Sequence, residues 1–100
     1  MILTAEKFVG TSTSNVLSLP YDAATLTLQI VDDASGTTID LDLQGNTYDD
    51  GDFTDLTPIG ASGSAMEAEG IFRFDVRGLR NVQISGDTSD LTVTAVVTDK

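Results

Sequence analysis

Three of the five basic residues of this chain lie in one short stretch, FRFDVRGLR, at residues 72 to 80. They are Arg73, Arg77 and Arg80, in a chain whose formal net charge is −11. Arginine is enriched at protein interfaces, and a basic strip on an acidic molecule could bind the acidic surface of a neighbouring copy. The same residues also fit the solvent-exposed face of a β-strand, so both interpretations remain open at this point.

The charge balance argues against two classes of partner. Nucleic acids and anionic membranes both require a basic footprint on the protein. Three arginines without surrounding lysines or stacking aromatic residues are a weak phosphate-binding pattern. Nowhere do eighteen apolar residues follow one another, and MILTAEKFVG lacks the features of a signal peptide. We therefore expect no nucleic-acid partner, no membrane association and no export through a signal peptide.

A loop at residues 45 to 55, GNTYDDGDFTD, combines glycine with clustered carboxylates. Such oxygen ligands are the kind that calcium requires, but their spacing does not match the twelve-residue calcium loop. Turn formation alone also explains Asp and Gly here. We expect no metal to be required for folding and keep a weak calcium site as the alternative. Its candidate ligands are Asp49, Asp50, Asp52 and Asp55.

The residue types that most often perform catalysis are absent. The sequence has no histidine and no cysteine, which removes the usual catalytic triads, most zinc sites and thiolate chemistry. The serine-rich stretches GTSTSN and GASGSAM lack the lysine of a phosphate-binding loop. The two lysines, Lys7 and Lys100, lie near the ends of the chain. The sequence predicts neither an enzyme nor a cofactor.

Alternating apolar and polar residues predict the strands that must position these side chains. TLTLQIVD begins the first clear run at residue 25, and TTIDLDLQ begins the second at residue 37. The connector DDASG supplies turn residues, so we expect these two strands to form a hairpin. Shorter strands are expected near Val16 and Leu17, and at the edge of a sheet from Leu3 to Val9.

The last third of the chain repeats this pattern three times. Phe72 to Arg77 alternates and places Arg73, Asp75 and Arg77 on one face, with Asp75 partly neutralising the two arginines. Further strands are expected around Val82 and Leu91, separated by the turn SGDTSD. Residues 61 to 70 contain helix-forming residues but have glycine near both ends and little to bury, so they would form one helical turn at most.

Together these runs predict one all-β domain spanning residues 1 to 100. Seven or eight short antiparallel strands, each with one solvated face, are typical of a β-sandwich of the immunoglobulin-like or jelly-roll-like type. The predicted core is Leu26, Leu28, Ile30, Ile39, Leu41, Leu43, Phe72, Phe74, Val76, Val82, Ile84, Leu91, Val93 and Val97.

The carboxy-terminal third, GIFRFDVRGLRNVQISGDTSDLTVTAVVTDK, resembles the closing strands of small β-sandwich proteins in the virions of tailed bacteriophages. In these proteins an aromatic strand is followed by a Gly-Leu turn, a Val-x-Ile strand, a glycine-bearing turn and a strand rich in threonine and valine. The resemblance covers about a third of the chain and transfers no catalytic residues. It implies a structural component of the particle, made in the host cytoplasm and incorporated into the virion.

Several positions in a particle are compatible with this resemblance. Capsid decoration is preferred, because a strongly acidic exterior suits the outside of a particle rather than contact with packaged DNA. A tail or connector subunit is an alternative within the same class. The partners would then be other virion proteins or further copies of the chain. From another class, an immunoglobulin-like module that binds carbohydrate or another surface remains the second hypothesis.

Overall fold

A computed structural model describes residues 2–8, 16–48 and 51–99. None of these residues forms a helix, so the described part of the chain contains no helix that could cross a membrane. The strands are β1 (Ile2–Phe8), β2 (Val16–Ser18), β3 (Thr25–Asp32), β4 (Asp42–Asn46), β5 (Thr54–Asp55), β6 (Gly70–Asp75), β7 (Asn81–Ser85) and β8 (Leu91–Thr98).

The strands form two four-stranded antiparallel sheets. Their orders are β1-β8-β3-β6 in the first sheet and β2-β7-β4-β5 in the second. The pairs β1·β8, β2·β7, β3·β6 and β4·β5 are those of a long hairpin rolled into two layers. This is the jelly-roll arrangement. The predicted all-β sandwich is confirmed, and of its two named forms the topology is the jelly roll rather than the immunoglobulin fold.

The core lies between the inner faces of the two sheets. Every residue of the predicted core is buried except Phe72, which is partly buried and packs against the rest. Met66 is also fully buried and forms an isolated bridge with Leu41. Residues 61 to 70 therefore form no helix and contribute one core residue, where the sequence pattern indicated little to bury.

The predicted hairpin between residues 25–32 and 38–44 is wrong. β3 pairs with β6 and β8 in the first sheet, whereas β4 pairs with β5 and β7 in the second. Residues 33 to 41 cross from one sheet to the other, and β4 begins only at Asp42. Alternation determines which side chains of a strand face the core, but it does not determine to which of the two sheets the strand belongs.

The connections between strands gather at the two ends of the sandwich. At one end, the β2–β3, β4–β5 and β6–β7 connections meet; Leu19 donates its backbone N–H to the Arg80 carbonyl at 2.9 Å, and Arg80 donates to the Asn46 carbonyl at 2.7 Å. We call this the arginine end. The β3–β4 and β7–β8 connections meet at the opposite end, where Asp33 donates its N–H to the Asp90 carbonyl at 2.9 Å.

Candidate functional site

The structure separates the three arginines into two locations. Arg73 lies within β6 and faces outward, opposite Thr27 of β3. Arg77 and Arg80 lie beyond the end of β6, in the connection to β7 at the arginine end. The predicted single strand face holding Arg73, Asp75 and Arg77 is therefore shortened, because β6 ends at Asp75 and the chain turns at once.

Asp75 and Arg77 form a two-pronged ion pair at the start of this turn. The Arg77 Nε lies 3.0 Å from Asp75 Oδ1, and Nη2 lies 2.8 Å from Oδ2. The Arg77 backbone N–H also donates to Oδ1, at 3.1 Å. These bonds, led by the one from the Arg77 side chain, lower the pKa of Asp75 to about 2. The charge of Arg77 is thus already balanced within the chain.

The arginine end presents two grooves that share Tyr21 and Gly78. Arg77 lines one groove, of about 460 Å³, and Arg80 lines the other, of about 280 Å³. Tyr21 stands between them with its side chain fully exposed. Tyrosine and arginine are the residue types that most often carry binding energy at protein interfaces. Asp22 and Asp99 line the same groove as Arg77. This end therefore combines an exposed tyrosine with charged side chains of both signs, and it is the candidate docking site.

Arg73 lines a third groove, of about 330 Å³, along the edge of the first sheet. A turn at residues 58 to 61 lies against β6, where Ile59 donates its backbone N–H to the Arg73 carbonyl at 2.7 Å. Ile59 and Ile71 line the groove and are about 60% exposed (63% and 60%). Among the described residues, no carboxylate forms an ion pair with Arg73. No aspartate or glutamate among the described residues therefore balances the charge of Arg73 at contact distance.

The outer face of the first sheet carries few charges among its described side chains. We call it the threonine face, and strand register defines it. Its described side chains include one cation and one anion, and most of the others are β-branched. The backbone register also places Lys7 in these rows, opposite Thr94. The members with described side chains are Ile2, Ala5, Thr25, Thr27, Gln29, Val31, Ile71, Arg73, Asp75, Thr92, Thr94, Val96 and Thr98.

Carboxylates concentrate at the end opposite the arginines. Within the described part of the chain this acidic end has no lysine or arginine. Several of its carboxylates accept hydrogen bonds from nearby turns: the Thr37 side chain lowers the pKa of Asp32, and the Ser89 side chain lowers the pKa of Asp87. The residues of the acidic end are Asp32, Asp33, Asp40, Glu67, Glu69, Asp87 and Asp90.

The acidic loop at residues 45 to 55 is described only in part. Asp49 and Asp50 lie outside the described residues. The Asp55 Oδ1 accepts a hydrogen bond from the Gln44 side-chain amide at 2.8 Å. No group of three or more potential metal ligands occurs among the described residues, which include Asp52. The calcium alternative on Asp49, Asp50, Asp52 and Asp55 therefore gains no geometric support from the two aspartates that are described.

The outer face of the second sheet carries rows of polar side chains. The alternation pattern did not indicate that some of them are buried. The Asn81 amide donates to Asn46 Oδ1 at 3.2 Å, and the Asn46 amide donates to the Gly51 carbonyl at 3.0 Å. Both asparagines are buried. In the next row Gln83 donates to Gln44 at 2.9 Å. Gln44 and Gln83 are amide residues in two separate predicted strands. Their contact could be predicted only if the pairing of those strands was already known.

Comparison with known proteins connects the chain to one solved structure. No family model matches the chain, and no curated protein matches its sequence. The crystal structure of SPBc2 prophage-derived protein YomS is similar, with a TM-score of 0.65 and 20% sequence identity. The likeness covers 97% of this chain and 96% of that one. At this identity the comparison establishes a common fold over nearly the full length of both chains.

Proposed function

We propose that this chain is a non-catalytic structural subunit of a bacteriophage particle. The observation that carries the proposal is the jelly-roll topology, shared over almost the whole chain with a prophage-derived protein. Jelly rolls are common in viral capsid proteins. The resemblance of residues 70 to 100 to the closing strands of small virion sandwiches supports the same class.

Within a particle, we propose that the subunit lies on the outside of the head as a decoration protein. Packaged DNA is polyanionic, and a chain of net charge −11 would be repelled from it. The exterior of a capsid imposes no such penalty. A subunit in the tail or connector would use the same kind of contact. Imaging of particles that carry a label on this chain distinguishes a tail or connector position from a head position.

The arginine end is the docking site in this proposal. Two arginines and the exposed Tyr21 occupy it, and backbone hydrogen bonds to Leu19 and Asn46 hold the connections that present them. A preorganised site loses little conformational entropy on binding. Asp22 and Asp99 line this end beside Arg77, so the contact is with a surface of a neighbouring virion protein that presents charges of both signs.

Charge reversal at this end tests the docking site. Arg77→Glu combined with Arg80→Glu should reduce incorporation into purified particles by about tenfold or more, since like charges at an interface oppose binding strongly. The melting temperature should fall only slightly, because the Arg77–Asp75 ion pair that this variant removes is exposed. Thr38→Glu combined with Ser62→Glu adds negative charge at exposed positions elsewhere and should leave incorporation unchanged.

Gel quantification of purified particles distinguishes the outcomes. Wild-type occupancy for the arginine variant would contradict docking through the arginine end. Thr38→Glu/Ser62→Glu and Arg77→Gln/Arg80→Gln both make the net charge two units more negative, so equal losses for these two pairs would show that overall charge, rather than this site, controls incorporation. The conservative pair Arg77→Gln and Arg80→Gln should give an intermediate occupancy, because it removes the cations without creating repulsion.

A carbohydrate- or surface-binding module is the second candidate. Jelly rolls also occur in lectins, and the fully exposed ring of Tyr21 beside two grooves is the specific observation in its favour. A glycan array that showed saturable binding lost in Tyr21→Ala would support this function over the structural one. In this candidate the module is a jelly roll and not immunoglobulin-like.

A further inference from the structure

The threonine face is unusual for the surface of so acidic a molecule. Its described side chains carry one positive and one negative charge, Arg73 and Asp75, and the register adds Lys7 opposite Thr94, while the whole chain carries −11. Aliphatic side chains are exposed within it: Ile71 at 60% and Val31 at 38%. Depletion of charged residues and enrichment of apolar ones distinguish the core of an interface from ordinary surface.

The side chains of this face also lose little conformational entropy when they are buried. Thr27, Thr94 and Val96 lie near its centre, and each is only partly exposed. β-branched side chains are restricted at χ1 before any contact forms, so burying them costs less entropy than burying lysine or glutamate. A flat sheet of such residues can pack against another sheet about 10 Å away.

The other surfaces of the described chain are poor places for two copies to meet. The acidic end would bring carboxylates against carboxylates. The outer face of the second sheet contains Asp42 and Asp55, and its amides are already hydrogen-bonded to one another. The arginine end would bring Asp22 and Asp99 of one copy against the same aspartates of the other. When like surfaces of two identical chains meet, electrostatic repulsion is therefore smallest between their threonine faces.

We infer that the threonine face is a self-association surface, on which a second copy of this chain packs face to face. Four strands spaced about 4.8 Å apart, with eight residues rising about 3.3 Å each, give a face of about 500 Å² in projection. Specific interfaces bury about 800 Å² per partner, and weak ones less. The dimer is thus a weak one, and its population depends on concentration. This inference does not depend on the phage-particle proposal.

A matched pair of variants tests the surface. Ile71→Glu places a carboxylate on the threonine face, and Val16→Glu places one on the outer face of the second sheet. Both wild-type residues are strand aliphatics of similar exposure, 60% and 50%. Circular dichroism and thermal melting should show that both variants fold, because neither side chain is part of the core.

Sedimentation velocity should detect concentration-dependent dimers of the wild-type chain between about 10 µM and 1 mM, the range of small interfaces. Ile71→Glu should weaken dimerisation about tenfold or more, and Val16→Glu should leave it within about twofold. Raising NaCl from about 0.1 M to 1 M shortens the Debye length from about 10 Å to 3 Å and should strengthen the wild-type dimer.

Three results would overturn the inference. The first is a wild-type chain that stays monomeric throughout this range of concentration and salt. The second is a dimer that Val16→Glu weakens as much as Ile71→Glu, since the contact would then lie elsewhere. The third is a dimer that dissociates as salt rises, because contacts between arginines and carboxylates weaken with salt, whereas packing of aliphatic and threonine side chains does not.

Discussion

Asp75 and Arg77 show how local geometry sets the pKa of a single carboxyl group. Two side-chain contacts and one backbone N–H hold the Asp75 carboxylate, and its pKa falls from 3.8 to about 2. Because the folded value is below the usual one, the pair contributes to stability above about pH 4. That contribution is lost as the pH falls toward 2.

Nuclear magnetic resonance titration of the Asp75 carboxyl checks this prediction. The wild-type chain should show a pKa near 2, and Arg77→Gln should raise it toward 3.8, since the amide lacks the guanidinium charge and its two parallel donors. Asp87, whose pKa the Ser89 side chain lowers, serves as a reference at the opposite end and should titrate alike in both proteins. An Asp75 pKa that is the same in both proteins would contradict the ion pair.

Asn46 is the residue on which the polar row of the second sheet depends. Asn46→Ala removes the acceptor for the Asn81 amide and the donor to the Gly51 carbonyl, both in a buried setting. We expect a loss of about 1 to 3 kcal/mol in the free energy of unfolding, the cost of buried polar groups left without partners. Gln29→Ala, at an exposed position of β3, should change it by less than about 0.5 kcal/mol. Equal effects in chemical denaturation would contradict the role of Asn46.

At the scale of elements, the facing of β6 follows the alternation of its sequence. Phe74 is fully buried, and Arg73 next to it is exposed. Phe74→Ala should cost about 3 to 5 kcal/mol by leaving a cavity, while Arg73→Ala should cost less than about 0.5 kcal/mol. Thermal and urea unfolding compare the two variants, and the opposite ranking would mean that the strand is turned over.

The β7–β8 turn depends on Gly86, where two constraints coincide. Its φ is +122°, and a Cβ at this position would lie 2.5 Å from the Asp40 carbonyl oxygen and 2.8 Å from Leu41 Cδ2. Gly78 has a φ of +82° but open space around it. Gly78→Ala should cost about 1 to 2 kcal/mol through backbone strain alone. Gly86→Ala should cost more, because a backbone oxygen must also move, and equal losses in urea unfolding would contradict this packing.

Strand positions were predictable from the sequence, but strand partners were not. The period-two runs at residues 25–32 and 91–98 gave strands and correct core faces because the alternation there is strict. The expected hairpin of residues 25–32 with 38–44 was wrong, since the turn residues of DDASG are equally compatible with a crossing between sheets. The β1·β8 and β2·β7 pairs join distant parts of the chain, and no local pattern encodes them.

The candidate sites, like the strands, could be predicted only in part from the sequence. Grouping Arg73, Arg77 and Arg80 by proximity in sequence identified the right segment but not its division between a sheet face and a loop end. Tyr21 joins Arg77 and Arg80 only through the folding of the β2–β3 and β6–β7 connections. The threonine face requires neighbouring strands from distant parts of the chain, so it emerges only from the register.

At the scale of the whole molecule, the distribution of charge complements the topology. The jelly roll gathers seven carboxylates without a lysine or arginine at one end of the described chain and places two arginines, Tyr21 and two aspartates at the other. A face with few charged residues lies along one side. A subunit with several distinct surfaces can contact different neighbours through each of them. This arrangement supports the proposal of a structural subunit more directly than any single residue does.

The most direct test of the central claim is quantitative mass spectrometry of purified phage particles produced from the genome that encodes this chain. If the chain is a structural subunit, it should remain with particles through density-gradient purification and be present in a fixed ratio to the major capsid protein. A chain that is expressed during particle production but is absent from intact, purified particles would contradict the account.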